Sequence, residues 1–156
     1  MIRPVRITVV GGSRCDEATA SLAEQIGREI ARRGGVLVCG GLDGVMDAAS
    51  RGAASAGGLT VGILPGCDAA SASSHVAIPI PTGMGDARNV INVRAGDAVI
   101  AMKGSHGTLS EIALALGFGI PVVAVDSWND VEGVVQAADA REAVARALEL
   151  AGFGEE

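Results

Sequence analysis

Tyrosine is missing from this chain, and phenylalanine and tryptophan together supply only three of its 156 residues. A core without large rings has to be assembled from valine, isoleucine, leucine and alanine packed closely. With 49% hydrophobic residues and 23 glycines, that favours a layered α/β fold in which glycine lets backbone approach backbone. Cysteine is scarce as well. Cys15, Cys39 and Cys67 are odd in number and stand 24 and 28 residues apart, which fits neither a disulfide framework nor zinc-ligand spacing. They read as small buried or half-buried thiols, and no metal site is expected. No apolar run approaches the roughly 18 to 20 residues that span a bilayer, and the opening "MIRPVRITVVGG" passes straight into a strand-like run. The expectation is a cytoplasmic protein with no membrane partner. Positive charge is in deficit too, and a net charge of −6 argues against nucleic acid held on an electrostatic patch.

The acidity is uneven. From Asn129 onward seven acids face Arg141 and Arg146, so residues 1–128 are close to neutral. Within that part Arg14, Arg88 and Lys103 each stand beside a glycine-rich or turn-like stretch, which leaves room for an anionic small molecule.

At this length the chain is about one domain's worth, taken as residues 1–156. "RITVV" (6–10) is a β-branched run ended by Gly11-Gly12. From Asp16 to Arg33, Leu22, Ile26 and Ile30 recur every four residues, an amphipathic helix stopped by Gly34-Gly35. "VLVC" (36–39) reads as a strand ended by Gly40-Gly41, "GVMDAASRGAASA" as an alanine-rich helix and "LTVGIL" as a third strand. Residues 65–82 read as a long loop with an extended piece near 76–80. A helix from about Gly85 to Ala95, the strand "DAVIAM", the helix "LSEIALALGFG" and the strand "PVVAV" follow. Last come a short strand near "GVVQA" and a helix opened by Asp139-x-x-Glu142. Alternating strands and helices without hairpins predict a single-domain, doubly wound parallel sheet, a Rossmann-like three-layer α/β/α fold.

The glycine pairs divide into two kinds. Those at 34–35 and 57–58 follow helices, where a left-handed cap explains them. Those at 11–12 and 40–41 follow strands, at the edge where open α/β sheets bind ligands. "GGSR" (11–14), "GGLDGVM" (40–46) and "KGSHGT" (103–108) therefore converge on one rim, each feeding a helix N-terminus whose free amides suit an anion. None matches a standard dinucleotide or P-loop pattern. The third loop has a second reading, with Thr108 as N-cap and Glu111 closing a capping box.

"CGGLDGVM", "GMGDARNVINVRAGDAVIAM" and "KGSHGTLSEIALAL" together resemble the LOG family, cytokinin-activating proteins once labelled lysine decarboxylases, with a P-G-G-x-G-T-x-x-E hallmark preceded by an Arg-Lys pair. The similarity covers residues 5–126. Arg88 stands fifteen residues before the first motif position, as the family's arginine does. Lys103 replaces the motif's proline, Ser105 its second glycine and Asn89 the lysine of the pair; Cys39 takes the place of a tyrosine. These departures and the short chain are more similar to the sister branch that contains molybdenum cofactor carrier proteins.

The resemblance implies a binding or carrier protein for a phosphorylated nucleotide-like or pterin-like ligand, with no required cofactor and with a nucleotide monophosphate or molybdenum cofactor as cargo. The alternative it implies is a phosphoribohydrolase that cleaves a nucleoside 5′-monophosphate to base and ribose 5-phosphate, and not a lysine decarboxylase. Arg88 and Glu111 would then act at the ribose, as carboxylates do in glycoside hydrolysis. Gly104, Ser105, His106, Gly107 and Thr108 would hold the phosphate, with Gly11, Gly12, Ser13, Gly40, Gly41 and Gly44 completing the rim. Asp43 either reaches a ribose or pterin or caps the next helix. His106 either touches ligand or is solvated; His75 has no evident partner, and Met46 reads as core. A homo-oligomer, dimer or tetramer, is implied, built on the helices that follow "VLVC" and "DAVIAM".

Overall fold

In the computed structural model, which describes residues 3–154, seven short strands form one sheet. They are β1 (Arg6–Val10), β2 (Val36–Cys39), β3 (Thr60–Leu64), β4 (Ile78–Pro81), β5 (Ala98–Ala101), β6 (Val122–Val125) and β7 (Val135–Ala137). Every neighbouring pair is parallel, in the order β4-β3-β2-β1-β5-β6-β7. The chain winds outward from β1 to β4, then returns to lay β5 against the other side of β1. That reversal opens a crevice at the carboxyl ends of β1 and β5, where such sheets admit ligands. The doubly wound Rossmann-like fold read from the sequence is the fold observed. The extended piece expected near 76–80 is a full edge strand, Ile-Pro-Ile-Pro, placed where the missing proline N–H groups break no inner ladder. Of the domain expected over 1–156, residues 1, 2, 155 and 156 lie outside the described residues.

Five helices cover the faces: α1 (Glu17–Arg32), α2 (Val45–Ser55), α3 (Arg88–Ala95), α4 (His106–Gly117) and α5 (Ala140–Leu150). Asp16 starts α1 by accepting from the Thr19 amide at 2.8 Å. Asp139 does the same for Glu142 at 2.8 Å, while the Glu142 carboxylate reaches back to the Ala138 amide, so the cap expected there forms. The helix expected from Gly85 instead opens as a 3₁₀ turn, Gly85–Ala87, before α3.

Alternation along the strands sends apolar side chains to both layers. Ile7 and Val9 of β1 pack with Ile26 of α1, Ala49 of α2 and Val144 of α5. Val10, Val99 and Ala101 face the other way, against Val93 of α3 and Ile112 of α4. Burial of each such side chain is worth about 1.5–3 kcal/mol, and with few large rings available, the fold gathers many small aliphatic side chains. Of the three thiols only Cys39, on β2, is buried; Cys15 and Cys67 lie on exposed loops, contrary to the expectation for them. No helix among the described residues is long and apolar enough to cross a membrane.

Candidate functional site

The three glycine loops meet, and the loop after β1 is the hub. The Gly12 amide donates to the Lys103 carbonyl at 2.9 Å, and the Gly12 carbonyl accepts from the Val45 amide at 3.0 Å. Contact this close requires glycine: Gly44 has φ +65°, and a Cβ there would stand 2.4 Å from the Gly12 oxygen. The first strand's loop is thereby stitched to the starts of α2 and α4.

At α4 the structure decides between the two readings of "KGSHGTLSE". The helix begins at His106, with Ser105 as N-cap and no side-chain capping bond. Thr108 is therefore the third helical residue and buried, and a Cβ on Gly104 would collide with its hydroxyl at 2.0 Å. The capping box does not form. Among the described residues no protein acceptor takes the amides of Gly104 through Thr108; the first bond of the helix runs from the Leu109 amide to the Ser105 carbonyl. These are the orphan donors of a helix start, backed by its dipole.

Glu111, freed from capping, turns inward and is 6% exposed. Its Oε1 accepts from Asn92 Nδ2 at 3.0 Å and lies 3.7 Å from Arg88 Nη1. Arg88 Nη1 also donates to the Asn89 side-chain oxygen. The Arg88 side chain is 11% exposed, and its Nη2 lies so near Gly40 that a Cβ there would approach to 2.7 Å. Glycine after β2 thus makes room for a guanidinium. The network is incomplete: Asn92 Oδ1 and Arg88 Nε are buried without a partner, and Glu111 Oε2 has none among the described residues. Burial pushes the Glu111 carboxyl above the ordinary glutamate range, against the opposing pull of the Asn92 bond and the Arg88 charge.

A cleft of about 220 Å³ opens over this network. Of the residues expected from the sequence, Gly11, Gly12, Ser13, Gly40, Arg88, Ser105, Gly107, Thr108 and Glu111 line it. Gly41, Asp43, Gly44, Gly104 and His106 do not. Gly44 acts behind it as a spacer. Gly104 lines an adjoining hollow of about 440 Å³ with Arg14, Cys15 and Lys103, and the two spaces share Gly12, Ser13 and Ser105. Asp43 is exposed and caps nothing, since Gly44 is the N-cap of α2. His106 is exposed at the first position of α4.

Sequence reasoning missed Asp86, Asn89 and Asn92 on the cleft wall, and Met46, read as core, borders it as well. The signal for the asparagines was spacing: residues 88, 89 and 92 share one helical face. His75 also finds a partner, Asp47, with Nδ1 3.1 Å from Oδ1, and Ser73 donates to the same oxygen. Although burial alone would raise the Asp47 pKa, these bonds and Arg51 lower it. The cluster ties the loop before β4 to α2, outside the cleft. A larger hollow, about 690 Å³, lies at the opposite end of the sheet among Arg3, Arg33 and Phe153. Among the described residues, none of the buried side-chain atoms without a partner belongs to its lining.

The SLOG cluster4 family model matches residues 4–151. The chain is 37% identical to the molybdenum cofactor binding protein of Rippkaea orientalis, with TM-score 0.91 over 96% of this chain and 99% of that one. It is 36% identical to the molybdenum cofactor carrier protein of Chlamydomonas reinhardtii, with TM-score 0.88 and the same coverage. It is 33% identical over 124 residues to a cytokinin riboside 5′-monophosphate phosphoribohydrolase of Mycobacterium tuberculosis, a match spanning 72% of this chain and 65% of that enzyme.

Proposed function

The chain belongs to the SLOG cluster4 family, and from that premise we propose that it binds or carries a phosphorylated small molecule, nucleotide-like or pterin-like, with the molybdenum cofactor as the leading cargo. The observation that carries this reading is the incomplete polar network beneath the cleft. A buried acceptor without a donor, Asn92 Oδ1, stands beside a buried carboxyl with a free oxygen, and such groups cost stability unless something completes them.

A ligand would complete them from two sides. Its phosphate would take the free amides of 104–108 at the α4 dipole. Its uncharged part would offer ribose hydroxyls or the N–H edge of a pterin to Glu111 Oε2. Arg88 would hold the carboxylate in line and balance its charge. The 220 Å³ cleft alone is small for such a molecule, since ligand pockets usually run from about 300 to 1,000 Å³; the adjoining 440 Å³ hollow supplies the rest. The cradle sits at the switch point where the sheet reverses direction. Kinship with cofactor-binding and carrier proteins supports the carrier class.

One observation favours a second reading, an N-glycosidic phosphoribohydrolase. Arg88 and Glu111 form a buried pair facing the cleft, as a centre that must steady a developing oxocarbenium ion and direct water would require. Incubation with adenosine 5′-monophosphate and with cytokinin riboside monophosphates, followed by chromatography for free base, separates the two. Base release that disappears in Glu111→Ala would establish the hydrolase and overturn the carrier reading. No release, together with a melting temperature raised by nucleotide or by molybdenum cofactor, is the result expected for a carrier. Neither release nor any shift would overturn both.

We also propose a homo-oligomer. Helix α4 exposes Leu109, α3 exposes Val90 and Ile91, and β4 exposes Ile78 and Ile80. Strand register sets Ile78 and Ile80 beside Val61 and Ile63, and Val61 shares the face of Val38 and Thr8, the face on which α3 meets Thr8. These exposed apolar side chains would be covered in an oligomer; sedimentation velocity should find a species larger than a monomer, and a monomer at micromolar concentration would overturn the proposal.

A further inference from the structure

Asp126 and Trp128 are the only non-glycine residues with positive φ among the described residues, at +52° and +60°. They lie in the segment just after β6. Left-handed backbone is tolerated by aspartate and disfavoured for a bulky ring, and it persists only where surrounding contacts over-determine it.

Those contacts converge on one place. The Trp128 indole N–H donates to the Met102 carbonyl at 2.8 Å, and Asp126 Oδ2 stands 2.9 Å from Lys103 Nζ. Met102 and Lys103 are consecutive, and they lead directly into the free amides of 104–108. From the other side the Gly12 amide takes the Lys103 carbonyl. The two peptide planes before the cradle are thus clamped, one by the indole and one by the hub glycine, and the amides that follow are left unpaired.

We propose that Trp128 and Asp126 are positioning residues. The constrained segment after β6 is a brace that holds the loop after β5 in an anion-receiving conformation before any ligand arrives. A cradle ordered in advance spares the ligand the ordering cost. Lys103 stands in this chain where the resemblance puts a proline, and the brace supplies by contact the stiffness that a proline would supply covalently. The inference rests on the ligand reading above for its purpose, and on Trp128 and Asp126 alone for its mechanics.

Trp128 is the chain's single tryptophan, so biosynthetic replacement by benzothienylalanine removes the indole N–H and leaves the ring's shape. Trp128→Phe and Asp126→Asn serve as further variants. Residue-resolved amide exchange in the ligand-free protein reads the brace directly through two protected reporters, Gly12 N–H and Leu109 N–H. Both should exchange roughly five- to tenfold faster without the indole N–H, while amides of β2 and β3 keep their rates. Affinity for adenosine 5′-monophosphate should fall by a similar factor, with a melting temperature nearly unchanged, a split that a merely structural role would not produce. Unchanged exchange at Gly12 and Leu109 in the benzothienyl protein and in Trp128→Phe would overturn the brace even if the nucleotide binds. Faster exchange in a protein that binds no phosphorylated ligand would support the brace and overturn the ligand reading alone.

Discussion

Two carboxylates at opposite ends of the same sheet each face arginine, and their environments push them opposite ways. Asp97, just before β5 at the amino end, has both oxygens filled. Arg3 binds it through two nitrogens at 2.7 and 2.8 Å, and Arg6 adds its amide at 2.8 Å and Nη2 at 3.1 Å. Burial alone would raise its pKa, yet these bonds hold it far below the ordinary aspartate range. Glu111, at the carboxyl end, has one arginine nitrogen at 3.7 Å, one amide donor and an open oxygen, and its pKa goes up. The presence of an arginine does not decide the matter. Burial and saturation do: Asp97 has both oxygens filled and is a structural joint, whereas Glu111 is more deeply buried and keeps one oxygen without a partner among the described residues.

Removing the arginine at each end breaks the comparison most sharply. Arg88→Ala leaves Glu111 buried without a counter-charge, which should cost roughly 3 kcal/mol, a fall in melting temperature of about 6–12 °C for a chain of this size. The defect should shrink as pH is lowered, because protonation removes the unpaired charge. Arg3→Ala, at an exposed position, should move the melting point far less, since Arg6 still holds Asp97. Equal losses at pH 7 would contradict the saturation argument.

Asp97→Ala tests the other end. It removes a hub of charged hydrogen bonds and should cost roughly 2 kcal/mol at pH 7. The folded-state pKa of Asp97 is depressed, so its contribution is fully present above the unfolded value near 4 and is lost as pH falls through the folded value. Wild type and variant should therefore converge in thermal melts only in strong acid. Convergence near pH 5 would mean that Asp97 is not saturated in solution.

How far the sequence foretold this contrast depends on which contacts are local. The punctuating glycines, the parallel winding and the meeting of three loops were legible, because each follows from residues close together in the chain. The roles at a ribose given to Arg88 and Glu111 came from the resemblance; the residue pattern offered an arginine beside a turn-like stretch and a capping glutamate. In helix α3, Val90 and Ile91 are exposed while Asn89, Asn92 and Val93 are buried. Asn92 is paired with Glu111, nineteen residues away, and the spacing that puts residues 88, 89 and 92 on one face of α3 does not name that partner. The Thr-x-x-Glu signal misled for a local reason, since the helix starts three residues earlier, with Ser105 and not Thr108 as its N-cap, and leaves its third position facing the cleft.

Glu111→Gln sharpens the comparison with a smaller effect on stability. Because the folded-state pKa is raised, the cost of ionising Glu111 is absent below the unfolded value near 4 and grows as pH rises through the folded value. The glutamine variant should therefore match wild type near pH 4 and be the more stable at pH 8, while losing affinity for adenosine 5′-monophosphate. A variant less stable than wild type across the whole range would place Glu111 with Asp97 among the structural joints.

The smallest effect is expected within the rim itself, at Asp43. It stands in the same loop as Gly40 and Gly44, and by sequence it was open to two readings, a ligand contact or a helix cap. The cleft turns on inward reach, and Asp43 neither reaches inward nor caps α2, whose N-cap Gly44 presses against Gly12 instead. Asp43→Ala should leave the melting temperature within about a degree of wild type, as surface substitutions away from such features do, and leave nucleotide affinity unchanged within twofold. A larger loss of affinity in calorimetry would extend the ligand's reach past Leu42 to the outer face of the loop. The line between poised and merely exposed acids would then have to be drawn by distance to the ligand and not by burial.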